Sequence, residues 1–286
     1  MKEHITGAER RIRTAGPFFV FLSAVCFSLG GLLMKYIPWN GMAINGARNV
    51  IAFAVLWCYL LCTGHRIRMN RAVLTGAVSM SGSNILYSLA NKMTTAGNTI
   101  ILQYTAPIWV MVFSALFFRR RPSRRDLTAA FFVFAGVLCF FIDSLSAGNM
   151  TGNLLALLSG VSYAGIFMMN SSEDSDSLSS VLFGMLLNLL TGLPFLLRED
   201  LAAAAPLTWV CVLLLGLVQL GLAYIFLSRG LQDTPAITAS LISGIEPVLN
   251  PVLVALFYGE LLTPLSLLGA VIVFISVIVY NVVSMI

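Results

Sequence analysis

Long apolar blocks alternate with short polar segments along the whole chain. A membrane-spanning helix needs about 20 predominantly apolar residues, and ten blocks come close to that length. The blocks are too long, and alternate too little, for the strands of a membrane β-barrel. We therefore predict an all-α membrane protein with ten transmembrane helices, spans one to ten, over residues 17–37, 41–63, 71–90, 96–118, 126–142, 152–170, 178–197, 206–227, 235–258 and 264–284.

Composition supports this prediction, because 58% of the 286 residues are hydrophobic and only 10% are charged. A soluble domain carries about 25% charged residues, so an ordinary soluble enzyme and a disordered chain are both excluded. The predicted loops have at most about ten residues, which leaves no room for a catalytic domain outside the membrane. No span contains a histidine, and we predict no metal site and no cofactor.

The basic residues predict an orientation. When the chain alternates across ten spans, thirteen basic residues fall on the side of the N-terminus and three on the other side. Cytoplasmic loops carry the excess of lysine and arginine, so both termini are predicted to be cytoplasmic, with residues 1–16 as a cytoplasmic tail. The basic run 119–125 is expected at anionic headgroups. It lacks the interleaved aromatic residues that nucleic-acid binding would need.

The two halves of the chain resemble each other. Residues 95–137 align without gaps to residues 235–277 with 11 identities in 43 positions, among them Pro107 with Pro247. Each half holds five spans, and because five is odd the halves enter the membrane in opposite directions. Such inverted repeats are typical of secondary transporters. We predict a first repeat over 17–142 and a second, inverted repeat over 152–284.

The pattern resembles the drug/metabolite transporter superfamily, EamA type. The resemblance rests on two halves of five spans, an aromatic residue in the first span of each half (Phe27 and Tyr163), a buried Arg48, and short motifs in order. In the second half these motifs are Glu246-Pro247-Val248, Ala255, Gly259-Glu260 and Gly269-Ala270, and in the first half Pro107, Ala115 and Gly136. The first half departs from the family in having Arg119-Arg120 where Gly-Glu is usual. The resemblance implies a metabolite transporter, mostly an exporter, of undefined substrate.

Glu246 is the first candidate site residue, because an ionisable group in hydrocarbon is costly and functional by default. It lies about eleven residues into span nine, beside Pro247 and one turn before Pro251. Prolines free backbone carbonyls within a span, so Pro107, Pro247 and Pro251 are predicted helix breaks. The carboxyl group would bind substrate or exchange a proton. The alternative is a structural carboxylate held by Arg48 or a tyrosine.

Arg48 is the second candidate, about seven residues into span two. It would attract an anionic group of the substrate or neutralise Glu246. Alternatively it snorkels toward the outer face or binds backbone carbonyls. The neutral polar and aromatic candidates lie in spans three, four, six, eight and nine, whereas spans five and ten are nearly aliphatic and are expected at the periphery or at a dimer seam. These candidates are Asn84, Tyr87, Gln103, Tyr104, Trp109, Tyr163, Tyr224 and Ser243.

These observations predict a secondary transporter of a small organic metabolite, an amino acid or related solute, in the plasma (inner) membrane of a bacterium. It works by alternating access, as an exporter, exchanger or facilitator, with proton coupling as one option. The chain has no P-loop, so it does not hydrolyse ATP itself. Its expected partners are the substrate, the lipid bilayer, protons and a second copy in a homodimer, with no nucleic acid. A scaffold or receptor without transport is the alternative, and an intramembrane enzyme lacks its HExxH or GxSxG motif.

Overall fold

A computed structural model describes residues 7–119, 122–144, 150–169, 171, 174–259 and 263–285. These ranges are helical apart from short turns and contain no β-strand, in agreement with the predicted all-α class. Arg120, Arg121 and Glu260, named above, lie outside the described residues, as do residues 1–6 of the predicted tail. From Gly7 onward that tail is already part of the first helix.

The described chain forms fourteen α-helices, one π-helix and one short 3₁₀-helix. In chain order these are α1 Gly7–Phe27, α2 Leu29–Lys35, α3 Gly41–Thr63, α4 Arg71–Met93, α5 Ala96–Gln103, α6 Ala106–Phe118, α7 Arg124–Ser144, α8 Met150–Phe167, α9 Ser177–Leu196, α10 Pro206–Leu214, the π-helix Leu215–Leu222, α11 Ala223–Asp233, α12 Ala236–Ile242, the 3₁₀-helix Ser243–Ile245, α13 Glu246–Tyr258 and α14 Pro264–Met285.

Consecutive short helices join end to end, so the described segments make ten rods at the positions of the predicted spans. Rod one is α1 with α2, rod four is α5 with α6, rod eight runs from α10 through the π-helix to α11, and rod nine runs from α12 to α13. Seven rods are apolar and long enough to cross a membrane within their described residues. Rod three, α4, is long enough but more polar, because it carries a row of buried serine and asparagine side chains.

Rods four and nine are interrupted at corresponding places. α5 ends at Gln103 and α6 begins at Ala106, while α12 and α13 are separated by the 3₁₀ turn at Ser243–Ile245. Pro107 and Pro247 each follow the interruption, in the first turn of α6 and of α13. Proline is tolerated there because the first turn of a helix needs no N–H donor. The break predicted at Pro251 does not occur, since α13 continues through Pro251 to Tyr258.

The packing of the rods separates a central bundle from an outer pair. α4 packs along α8 and α9, α1 packs along α11, and α3 packs along α9 and the π-helix. α7 and α14 pack chiefly against each other at the side of the bundle. This is the peripheral placement expected for spans five and ten.

One close helix crossing brings Gly46 of α3 against Gly192 of α9. A Cβ atom added to Gly46 would lie 2.7 Å from the Gly192 carbonyl carbon, so the two backbones touch without intervening side chains. Small residues permit such close approach between helices in membranes. The crossing anchors α3, which carries Arg48 half a turn beyond Gly46.

Candidate functional site

A small cavity lies in the middle of the bundle, at the level of the interruptions in rods four and nine. Seven rods contribute to its wall, and among the described residues α7 and α14 contribute none. Polar and aromatic side chains dominate the lining, which comprises Phe27, Arg48, Ser83, Asn84, Tyr87, Gln103, Tyr163, Gln219, Tyr224 and Glu246.

Arg48 is held inside the bundle and is 1% exposed. Its Nη2 atom lies 3.0 Å from Asn84 Oδ1 and 2.9 Å from Ser88 Oγ, both on α4. The same atom lies 3.1 Å from Asn45 Oδ1, and Nη1 donates to Gln219 Oε1 on the π-helix at 3.2 Å. Side-chain acceptors from three rods therefore hold the guanidinium in place. The alternative that Arg48 snorkels toward the outer face is wrong, because these acceptors solvate it inside the protein.

A second cluster of polar side chains contacts Asn45, one of the hydrogen-bond partners of Arg48. Asn45 Nδ2 donates to Asn188 Oδ1 on α9 at 3.1 Å, and Ser81 Oγ on α4 donates to the same oxygen at 2.9 Å. Asn49 Nδ2 donates back to Asn45. All of these side chains are buried, and buried amides are stable only where such partners exist. The cluster orients Asn45, whose oxygen faces Arg48.

Glu246 lies at the start of α13 and is 5% exposed. The Tyr163 hydroxyl on α8 donates to its Oε2 atom at 3.1 Å. Within the described structure, Glu246 and Arg48 line the same cavity but make no ion pair with each other. Of the alternatives for Arg48, direct pairing with Glu246 does not occur in this conformation, because neutral oxygen acceptors surround the guanidinium instead.

Aromatic rings form one wall of the cavity. Phe27 on α1 meets Tyr224 on α11 edge to face, with ring centroids 4.9 Å apart, and meets Tyr163 at 6.5 Å. Tyr224 in turn accepts a hydrogen bond at its hydroxyl from Asn84 Nδ2 at 2.9 Å. Edge-to-face packing stabilises such rings in defined orientations. The wall therefore places two phenol hydroxyls toward the polar groups.

One donor in the wall of the cavity remains without a partner. Gln103 Nε2 donates to Ser83 Oγ at 3.2 Å. Among the described residues, however, Arg48 Nε is buried and has no hydrogen-bond partner. Leaving a buried polar group unpaired costs about 1–3 kcal/mol. This N–H group is therefore available in the wall for a bound molecule.

Three predicted site residues lie outside the lining. Tyr104 is buried at the interruption of rod four, where its hydroxyl donates to the Ser240 carbonyl at 2.8 Å and joins rods four and nine. Ser243 is buried in the 3₁₀ turn beside Glu246. Trp109 is 37% exposed on α6, where it packs near Phe113, and it does not line the cavity in this conformation.

The structure adds residues beyond the predicted site. Phe27, Ser83 and Gln219 line the cavity, and Asn45 and Asn188 form the supporting cluster. The sequence signal for Phe27 is its position in the first span of its half, which matches the position of Tyr163 in the other half. Asn188 is a lone amide in an apolar span, where polar residues are costly, and that cost was the signal for it.

The cavity is narrow in this conformation. Its unfilled volume is about 20 Å³, which suffices for about one water molecule. A molecule of metabolite size fits only if the side chains or the rods around it separate.

Comparisons with known proteins agree on one family. The profile of the EamA-like transporter family matches residues 14–142 and again residues 150–282. The uncharacterised transporter YwfM of Bacillus subtilis is 30% identical over 216 residues, which cover 73% of this chain and 72% of YwfM. The threonine/homoserine exporter RhtA of Escherichia coli is 28% identical, covering 93% and 92% of the two chains.

The fold is also found in a solved structure. A crystal structure covers 95% of this chain with 98% of its own, at a TM-score of 0.76 and 16% sequence identity. At that identity the likeness concerns the fold alone.

Proposed function

The chain belongs to the EamA-like transporter family and is an integral membrane protein, and from this premise we propose that it transports a small zwitterionic metabolite, an amino acid or a close relative. The observation that carries the proposal is the placement of Arg48 and Glu246, which face one central cavity without neutralising each other. A buried charge is costly unless it is compensated. A zwitterion supplies both missing counter-charges in one molecule.

Each end of the substrate has a defined receptor. A carboxylate binds at Arg48, where Nη1 has one side-chain partner in the described structure and Nε has none. The ammonium group binds at Glu246, whose carboxylate accepts a hydrogen bond from Tyr163. The Tyr87 hydroxyl, which also lines the cavity, accepts a hydrogen bond from a polar side chain of the substrate or donates one to it. The relative named as a threonine/homoserine exporter makes hydroxylated amino acids the first substrates to test.

The chain works by alternating access through ten membrane-spanning helices in two inverted repeats. If rods one to five correspond to rods six to ten, exchange of the halves turns the contact of α4 with α8 into the contact of α11 with α1. Both contacts are present. The contacts of α3 with α9 and of α7 with α14 map onto themselves. This symmetry supports two equivalent arrangements that open the cavity to opposite sides.

The remaining assignments concern direction and location. The excess of basic residues on one side supports cytoplasmic termini and a bacterial inner membrane. Export or exchange is favoured by the exporter named above. Glu246 is the group that would carry a proton, because it is the one carboxyl group in the wall of the cavity as described. A scaffold without transport would have no use for a polar cavity whose charged groups are kept apart.

Transport is tested in proteoliposomes. We expect purified protein to exchange internal L-threonine or L-homoserine for labelled external amino acid faster than empty liposomes, with and without an imposed pH gradient. If the flux requires the pH gradient, transport is coupled to protons. If the flux is independent of the gradient, transport is facilitated or occurs by exchange. Rates equal to those of empty liposomes for amino acids of every charge type would overturn the proposed substrate class. The variant Glu246→Gln is measured in the same assay. Glu199→Gln, which changes a carboxyl group outside the cavity, is its matched control.

A further inference from the structure

A second cavity lies between α7 and α14, at the side of the bundle away from the central cavity. It has a volume of about 550 Å³, far larger than the central one. Its wall is apolar except at one end, where two arginines stand. The residues that define it are Arg124, Arg125, Thr128, Phe132, Ile275 and Val279. We infer that this groove binds an anionic phospholipid, with an acyl chain between the helices and the phosphate at the two arginines.

The geometry of the groove matches a lipid that stands upright in one leaflet. α7 and α14 run antiparallel here, because the Tyr280 hydroxyl near the end of α14 donates to Asp126 Oδ1 at the start of α7 at 2.6 Å. From Arg124 to Phe132 the groove extends about 12 Å along α7 at 1.5 Å per residue. The arginines therefore lie at the headgroup end, and the apolar wall continues toward the middle of the bilayer.

The apolar wall faces the hydrocarbon. Phe132 is 48% exposed, Ile275 54% and Val279 53%. An elongated apolar ligand fits this wall. A small polar metabolite would meet few groups along it, because the Thr128 and Ser276 hydroxyls already donate to the Arg124 and Ile272 carbonyls of their own helices. In a bilayer the groove would give an acyl chain a longer contact than a flat helix face would.

Charge selects the headgroup. Arg124 and Arg125 lie on the side of the membrane that the basic residues mark as cytoplasmic, where anionic lipids attract basic groups. The neighbouring acid, Asp126, accepts at Oδ1 from Tyr280 and at Oδ2 from the Ser123 N–H at 2.7 Å, and its single negative charge leaves the two arginines with an excess of positive charge at this end. Two guanidinium groups at the mouth of an apolar groove match a phosphate joined to acyl chains. The proposal is independent of which metabolite the central cavity binds.

Native mass spectrometry of the purified full chain tests this inference. The protein is titrated with phosphatidylglycerol or with zwitterionic phosphatidylcholine of the same chains, and bound lipids are counted. We expect preferential retention of phosphatidylglycerol. Arg124→Ala with Arg125→Ala should weaken that binding about 25-fold, which corresponds to about 1 kcal/mol per arginine at 1.4 kcal/mol per factor of ten. Binding of phosphatidylcholine should fall less, because its choline group already offsets the charge of its phosphate.

Two further variants separate the groove from general surface charge. Arg66→Ala with Arg68→Ala removes two exposed arginines from the same predicted surface and should leave phosphatidylglycerol binding unchanged. Ser276→Phe places a ring in the groove, whose lining includes Ser276, and should reduce binding with both arginines intact. Equal retention of the two lipids by the unaltered protein, or equal losses in both arginine pairs, would overturn the inference. It is also overturned if the groove variants convert dimers to monomers without changing lipid binding, because a second copy then fills the groove.

Discussion

Replacing Glu246 with glutamine separates a substrate-binding carboxylate from a structural one. Glutamine keeps the size of the side chain, and its amide oxygen can still accept the Tyr163 hydroxyl that now donates to Oε2 at 3.1 Å. No ion pair with Arg48 is lost, since none exists in the described structure. Burial of a carboxylate is itself unfavourable. We therefore expect the melting temperature of Glu246→Gln to equal or exceed that of the unaltered protein.

Binding should respond in the opposite sense. A hydrogen bond to a charged group contributes about 1.5–3 kcal/mol and a neutral one about 0.5–1.5 kcal/mol. Exchanging the first for the second at the ammonium group of the substrate costs about 1–2 kcal/mol, which is a loss of affinity of about 5- to 30-fold. Isothermal titration calorimetry with L-threonine in detergent measures this loss, and Glu199→Gln should bind as the unaltered protein does.

One pattern of results would refute this reasoning. If Glu246→Gln melts several degrees lower while the remaining folded protein binds threonine with unchanged affinity, the carboxylate has a structural role. The stability measurement and the affinity measurement must therefore be made on the same preparations.

Three further predictions concern single positions. Arg48→Lys should lower stability by about 1–3 kcal/mol in thermal unfolding, because one ammonium group cannot reach acceptors on both α4 and the π-helix; an unchanged melting temperature would contradict the described shell. Gly46→Ala should cost about 1–3 kcal/mol by forcing α3 from α9, whereas Gly97→Ala, where an added Cβ has no neighbour within 4 Å, should not destabilise. Arg119→Gly should raise stability by up to about 1 kcal/mol, because Arg119 has φ +52°. Gly259→Ala, at φ +77° in the second half of the chain, should lower stability, and equal melting points of these variants and the unaltered protein would count against this account.

The apolar blocks predicted the rods closely because block length alone determines where a helix can cross a membrane. The predicted limits 41–63 and 96–118 coincide with α3 and with the combined rod four. The interruption at Ser28 was not predicted, because no proline marks it. Asn250 Nδ2 on α13 donates to the Ser28 carbonyl at 2.9 Å, so a distant residue satisfies the acceptor that this interruption frees. Such a contact depends on the tertiary structure and leaves no local signal.

The orientation of aromatic residues was harder to predict than their position. In a soluble helix an apolar side chain points to the core, but in a membrane both the core and the lipid are apolar. Trp109 and Tyr163 therefore look alike in the sequence, although Trp109 faces outward and Tyr163 lines the cavity. The inward orientation of Glu246 and Arg48 was predictable, because a charged side chain within a membrane span faces the interior of the bundle and avoids the lipid. Their separation from each other depends on Asn84 and its neighbours, which only the packing reveals.

The central claim is that Arg48 binds the carboxylate and Glu246 the ammonium group of one zwitterion. Calorimetric affinities of L-threonine, its methyl ester and its N-acetyl derivative, measured for the unaltered protein, Arg48→Gln and Glu246→Gln, test this claim most directly. We expect the unaltered protein to bind the ester about 10-fold or more weakly than threonine, whereas Arg48→Gln should bind the ester and threonine with equal affinity. The N-acetyl derivative should likewise bind more weakly than threonine in the other two proteins and should equal threonine only in Glu246→Gln. If both derivatives are disfavoured to the same extent in all three proteins, the two residues do not bind the charged ends of the substrate.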